Sequence, residues 1–205
     1  MDSTPILPEK DGEHMREKPV AAGKSSFDLI DVEKMFSQLA VEPGSTFLDL
    51  ACGNGRYSLP IAEKIGPTGK VYAADLWQEG LDLLTDEAKA KGLENIETIF
   101  TDITSPLPLE ANSVDVALLA TILHDLSPEN RDETLKECAR LVKPGGVLHI
   151  IEFKKIATGP GPGIAIRLDK AEVDASVIPC GFARVDGGAI GEYNYMLSYR
   201  RRPEA

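Results

Sequence analysis

Apolar residues along the chain come in short runs that alternate between two spacings, and that alternation predicts strands and helices in turn. Phe47 to Leu50 is an apolar run that reads as a short buried strand, with Asp49 as its last charged residue. Gly53 and Gly55 follow at once, and then Tyr57, Leu59, Ile61 and Ala62 fall at helical spacing. Gly66-Pro67-Thr68-Gly69 is a turn, and Lys70 to Ala74 is a second strand ending in Asp75. Glu79 to Lys91 reads as a helix with Leu81, Leu84 and Ala88 on one face and Gly92 as its stop. Ile96 to Phe100 is a third strand, ending at Asp102, and Val114 to Ala120 is a nearly unbroken apolar run typical of a strand covered on both faces. Ser127-Pro128 opens a helix whose stripe is Leu135, Cys138, Ala139 and Val142; Pro144-Gly145-Gly146 breaks it, and Val147 to Phe153 is a fifth strand.

Strands alternating with helices require crossover connections, so the sequence predicts a doubly wound α/β domain with a mostly parallel sheet and helices on both faces. The C-terminal part differs. After a Gly/Pro-rich stretch, Gly159 to Gly163, a short helix near Asp169 to Val177 precedes Phe182 to Val185 and Tyr193 to Tyr199. These last two runs, with Gly187, Gly188 and Gly191 between them, read as an antiparallel hairpin. Upstream of the first strand, Val32, Met35, Phe36 and Leu39 give a helix capped by Ser25 or Ser26 and ended by Pro43-Gly44. Gly23-Lys24-Ser25-Ser26 is not read as a phosphate loop, because no strand precedes it. Residues 1–24 show no sustained periodicity and are expected to be a mobile segment that can cover the site, with the folded domain spanning 25–205.

Composition narrows the function. A length of 205 residues suits one domain. The net charge of -11 argues against a nucleic-acid surface, which needs clustered Lys and Arg. Arg200-Arg201-Arg202 closes the last strand and reads as a solvated end. Cys52, Cys138 and Cys180 are odd in number and far apart, so neither a disulfide framework nor a metal cluster is expected. With no apolar run of membrane-spanning length, a cytoplasmic protein without membrane partners is expected.

The chemistry concentrates at the strand ends. Asp49, Asp75, Asp102 and Thr121 stand at four of them, and ligands of open α/β sheets bind beyond the carboxyl ends of the strands. Asp75 is placed to accept the hydroxyls of a ribose, which would suit either a dinucleotide or another nucleoside cofactor. Two features favour the latter. Ser58 occupies the place of the third glycine in G-x-G-x-x-G, and Asp49 would repel a pyrophosphate while suiting an ammonium or sulfonium group.

Leu48-Asp49-Leu50-Ala51-Cys52-Gly53-Asn54-Gly55, then Asp75, Asp102-Ile103 and Leu141-Val142-Lys143-Pro144-Gly145-Gly146-Val147-Leu148, resemble the successive motifs of class I S-adenosylmethionine-dependent methyltransferases. The resemblance spans about residues 26–200 and implies a seven-stranded sheet with six parallel strands and one antiparallel. It also implies that Asp49, Ala51, Cys52, Gly53, Asn54 and Gly55 approach the methionine portion of S-adenosyl-L-methionine. Asp75 would hold the ribose, Leu76 and Trp77 the adenine side, Asp102 and Ile103 the adenine amino group and ring, and Ala120 and Thr121 the sulfonium. S-adenosyl-L-homocysteine would be the product.

His124, just after the fourth strand, is the candidate general base, with the adjacent Asp125 expected to orient it. Direct in-line displacement on a sulfonium needs no metal and no covalent enzyme intermediate. The expected acceptor is a small molecule, nearest in style to the quinone-biosynthesis and related C-, O- or metalloid-acting branch. The alternative reading is a non-enzymatic cofactor-binding regulator or an NAD-type α/β reductase. Lys154 to Leu168 is too short for a lid domain, so the N-terminal segment through Phe27, or a partner subunit such as the second copy of a homodimer, is expected to close the pocket.

Overall fold

A computed structural model describes residues 22–203; residues 1–21, where most of the expected N-terminal cover falls, and 204–205 lie outside the described part. The sheet has seven strands in the order β3-β2-β1-β4-β5-β7-β6. They are β1 (Thr46–Leu50), β2 (Lys70–Asp75), β3 (Ile96–Phe100), β4 (Val114–Ala120), β5 (Val142–Phe153), β6 (Phe182–Ala189) and β7 (Asn194–Arg201). β1 to β5 pair in parallel, and β7 runs antiparallel to both β5 and β6. This is the doubly wound sheet expected from the sequence, with one antiparallel strand.

The helices are α1 (Val32–Gln38), α2 (Ser58–Ile65), α3 (Gln78–Ala90), α4 (Pro128–Leu141) and α5 (Lys170–Val177). Strand alternation divides the core between them. Phe47 and Val71 face a cluster with Ile61, Leu81 and Leu84, while Leu48 and Leu50 face one with Leu135, Cys138, Val173 and Val177. Helices α2 and α3 thus cover one face and α4 and α5 the other. Each fully buried Leu, Ile or Phe in these layers contributes about 1.5–3 kcal/mol of apolar burial.

Local chemistry sets the boundaries. Asp31 caps α1 by accepting from the Lys34 N–H at 2.9 Å, and Ser127 caps α4 with Pro128 following it. Asp169 and Glu172 make a reciprocal capping box at α5.

Four expectations are corrected. The first helix does not start at Ser25 or Ser26. A single 3₁₀ turn covers Phe27–Leu29, Ile30 is extended, and Asp31 rather than Ser26 supplies the cap, because the Ser26 hydroxyl is hydrogen-bonded to Tyr57. Val142 does not extend the α4 stripe: it is already extended, and the chain from 142 to 146 runs on into β5 with a register shift opposite Val114 and Val116. Lys143 precedes proline, which disfavours helix there, and a Cβ on Gly146 would stand 2.8 Å from the Asp115 carbonyl oxygen. Gly187 and Gly188 lie within β6 rather than in the turn, since a Cβ on Gly187 would press Leu197 at 2.5 Å. Finally, Arg201 is not a solvated end: it is buried and reaches Asn112 and the Val142 carbonyl.

Candidate active site

The sheet order reverses between β1 and β4. Connections leaving β1 run toward β2 and β3, while those leaving β4 run toward β5, so a crevice opens at their carboxyl ends. A cavity of about 150 Å³ lies there. Ala51 and Gly53 border it after β1, Asp75, Leu76 and Trp77 after β2, Asp102 and Ile103 after β3, and Ala120 and Thr121 after β4. Ala22, Gly23 and Lys24 close one side of it, so the described end of the N-terminal segment meets the cavity. A larger concavity of about 270 Å³ near Lys89 and Gly92 sits at the amino end of β3 and gathers no other strand.

The turn after β1 is built on left-handed backbone. Ala51, Gly53 and Gly55 have φ of 59°, 57° and 76°. The two glycines serve different ends. A Cβ on Gly53 would meet nothing within 4 Å, so its face is open toward a ligand. A Cβ on Gly55 would stand 2.2 Å from Leu84 Cδ1, so that glycine lets α3 pack against the turn. Cys52, Asn54 and Gly55 do not border the cavity, nor does Asp49, which lies under the turn. Thr121, on the cavity wall after β4, is also strained, at φ 54°, an uncommon place for a β-branched residue and one that costs on the order of 1–3 kcal/mol.

The carboxylates have distinct surroundings. Asp75 accepts from the Gly53 N–H at 2.7 Å and from the Trp77 N–H at 2.8 Å, tying the glycine turn to the start of α3. Asp102 accepts from the Thr104 N–H and hydroxyl, both at 2.9 Å, and is exposed at the rim. Asp49 is buried; Ser58 Oγ donates to its Oδ2 at 2.6 Å, and its Oδ1 has no hydrogen-bond partner among the described residues. Burial pushes the Asp49 carboxyl up to about 7, the Ser58 hydroxyl pulls it down, and the neighbouring Asp75 raises it again. Burial also raises the Cys52, Cys138 and Cys180 thiols, which leaves them poor nucleophiles.

Three features of the site go beyond the sequence reading. Ser58 was noted only as a missing glycine, although a hydroxyl in place of that glycine is a visible signal. Ser26 and Tyr57 share a 2.8 Å hydrogen bond, and Thr121 Oγ1 lies 3.3 Å from Ser26 Oγ, which links the N-terminal segment to the cavity wall. Glu152, at the end of β5, is fully buried and organises His124.

His124 sits in a 3₁₀ turn after β4 and is buried; Ile122 and Leu126, on either side of it in sequence, border the cavity, and His124 itself does not. Its Nδ1 lies 2.8 Å from Glu152 Oε2, and its N–H donates to Glu152 Oε1 at 3.2 Å. Asp125, expected to orient the ring, is 3.6 Å from Nε2 and half-exposed, so Glu152 takes that part. Burial lowers the His124 pKa, but the Glu152 hydrogen bond and charge, with help from Asp125, outweigh it and leave the imidazole raised; Arg131 acts against them. Among the described residues no cluster of His, Cys, Asp and Glu could hold a metal ion, and no helix is long and apolar enough to cross a membrane.

Comparison with known proteins agrees with this geometry. Residues 47–146 match the family model described as a methyltransferase domain. The crystal structure of a SAM dependent methyltransferase from Aquifex aeolicus superposes with a TM-score of 0.78 at 27% identity, covering 89% of this chain and 94% of that one. The demethylmenaquinone methyltransferase of Lactobacillus johnsonii is 29% identical over 80% of this chain and 64% of its own length. The ubiquinone/menaquinone biosynthesis C-methyltransferase UbiE of Cupriavidus necator is 32% identical over 60% of this chain and 50% of its own. The chain thus matches about half to two thirds of the length of these curated relatives.

The Glu152 pairing makes a testable prediction. In Glu152→Gln, burial acts on His124 with little to oppose it, and its pKa should fall by about one unit or more. An NMR titration of the imidazole Cε1–H signal reads this directly; an unchanged midpoint would contradict the pairing. Stability follows the same sign. The raised pKa adds stability that is complete below the unfolded value of 6.5 and fades as pH rises through the folded value, and the variant should lose that contribution.

Proposed function

We propose that this chain, which belongs to the class I S-adenosylmethionine-dependent methyltransferases, moves the methyl group of S-adenosylmethionine to a small-molecule acceptor by direct in-line displacement. The observation that carries the reading is the acidic, cation-seeking character of the site: Asp49 with one unpartnered buried oxygen, beside Asp75 and Asp102 at adjoining strand ends. Such a site suits a sulfonium and an ammonium group and opposes a pyrophosphate. The open face of Gly53 leaves room for backbone to approach the ligand.

In this reading Asp75 holds the ribose hydroxyls with the lone pairs its two backbone bonds leave free, since each carboxylate oxygen accepts more than one donor. Leu76 and Trp77 flank the adenine, Asp102 and Ile103 take its amino group and ring, and Ala120 and Thr121 border the sulfonium. Asp49, Ala51, Cys52, Gly53, Asn54 and Gly55 form the seat of the methionine end. The bound cofactor supplies an activated methyl group on a good leaving group. The protein aligns the reactants and excludes water. His124 receives the proton that the acceptor gives up. Its Nδ1, facing the Glu152 carboxylate, keeps the ring proton, so Nε2 offers the lone pair.

The relatives' names make a quinone-type ring the acceptor class to examine first, and a cytoplasmic location accords with three unbridged cysteines. The N-terminal segment serves as the cover, with Lys24 at the cavity and Ser26 latched to Tyr57.

Calorimetric titration tests the cofactor: S-adenosylmethionine and S-adenosylhomocysteine should bind and NAD should not. Asp75→Ala should weaken binding by tenfold or more with the fold intact, the scale of a lost charge-assisted contact. NAD binding with no S-adenosylmethionine binding would overturn the proposal, and methyl-labelled donor incubated with quinone acceptors separates an enzyme from a cofactor-binding regulator. Removal of residues 1–23 should weaken cofactor affinity or acceptor turnover; a truncated chain equal to the full one in both would rule out the cover.

A further inference from the structure

Ser58 stands where a G-x-G-x-x-G turn would carry its third glycine, and it opens α2. It is fully buried and donates to Asp49 Oδ2 at 2.6 Å. A buried carboxylate with one oxygen satisfied and the other unpartnered is costly unless it holds a proton or meets a donor or cation. We propose that Ser58 is a positioning residue for the methyl donor: its hydroxyl fixes the Asp49 carboxyl beneath the glycine turn with its other oxygen left unpartnered, and binding of the donor's cationic methionine end on that turn expels a proton from Asp49. This rests on the function proposed above and deepens it.

Among the groups around Asp49, the Asp75 charge raises its carboxyl, and the Ser58 hydroxyl and backbone N–H lower it. Asp75 on β2 is a like charge, and the Cys52 thiol and the Tyr57 phenol are buried beside it and neutral. Burial first, and then the Asp75 charge, hold the empty site's carboxyl up to about 7. A neutral acid has little attraction for a cation, so the donor selects the ionised form, and the proton passes to solvent as the O–H bond of Asp49 breaks. Ser58 favours the ionised form by hydrogen bonding to it. A glycine at this place would keep the backbone N–H and lose the hydroxyl, the larger of the two.

The experiment is a titration of the full chain with S-adenosylmethionine from pH 5 to pH 7.5, below the range where an α-amino group loses its own proton. For the wild type, Kd should weaken about tenfold for each pH unit below 7 and level off above it. Calorimetry at pH 6 in buffers of differing ionisation enthalpy should count close to one proton released per donor bound. In Ser58→Ala the levelling should move up by about one pH unit, and Ser58→Gly should behave like it. A wild-type Kd that is flat across the window, or variants with the wild-type pH profile, would overturn the proposal while leaving the methyl-donor assignment standing. Absence of wild-type binding at every pH would overturn both. If neither variant folds, ¹³C NMR of the wild-type Asp49 carboxyl decides: titration near 7 in the empty protein and ionisation on adding the donor support the proposal, and an ordinary carboxylate midpoint defeats it.

Discussion

The Asp75 carboxylate is the joint on which the site depends. One oxygen accepts from the N–H of Gly53 and the other from the N–H of Trp77, so a single side chain at the end of β2 holds the glycine turn of β1 and the entry to α3 in register. Charge-assisted bonds to backbone N–H groups are about twice as strong as neutral ones, and these two are protected from water by a residue that is only 9% exposed. The turn they fix carries left-handed backbone at Ala51 and Gly53, which is costly at the non-glycine Ala51. A wall of the cavity is therefore in place before any ligand arrives.

Around that joint the fold assigns different work to similar residues. Gly53 leaves space, Gly55 admits Leu84, and Gly80 lets α3 begin under the turn, where a Cβ would stand 2.7 Å from the Gly53 carbonyl oxygen. The carboxylates divide likewise. Asp75 is structural and open to the cavity, Asp102 is at the exposed rim, and Asp49 is sealed beneath the turn with Ser58. On the other side of the crevice Glu152 performs for His124 what Asp75 performs for Gly53, accepting from both the ring and the backbone. Phe153, next along β5, packs against His124 on one side, and the Arg167 guanidinium lies over its ring, so the His124 side is braced by the loop after β5.

The strands and most helices were legible because their signals are local. Ile96 to Phe100 and Val114 to Ala120 are strands at the same residues in sequence and structure, because apolar runs bounded by turn residues need no distant partner to be recognised. Cavity residues at the ends of β1 to β4 were legible for a similar reason: in a parallel sheet, strand ends converge by topology. What escaped depends on long-range contacts. The Ser26 hydroxyl was read as a helix cap because a free serine before an apolar stripe is one, but Tyr57, 31 residues away, claims it. Glu152 looks like one more residue of a strand until β5 is set beside β4. Arg201 reads as surface charge until Asn112 and Val142 are folded against it.

The central claim is that the crevice seats S-adenosylmethionine with its ribose on Asp75 and its methionine end over Gly53 and beside Asp49. A crystal structure of the full chain with S-adenosylhomocysteine tests it most directly. The account predicts ribose hydroxyls within about 3 Å of the Asp75 carboxylate, the adenine against Ile103 and Trp77, and the ammonium group on the Asp49 side of the glycine turn. A ligand bound away from the carboxyl ends of β1 to β4, or seated there with its ribose out of reach of Asp75, would contradict it.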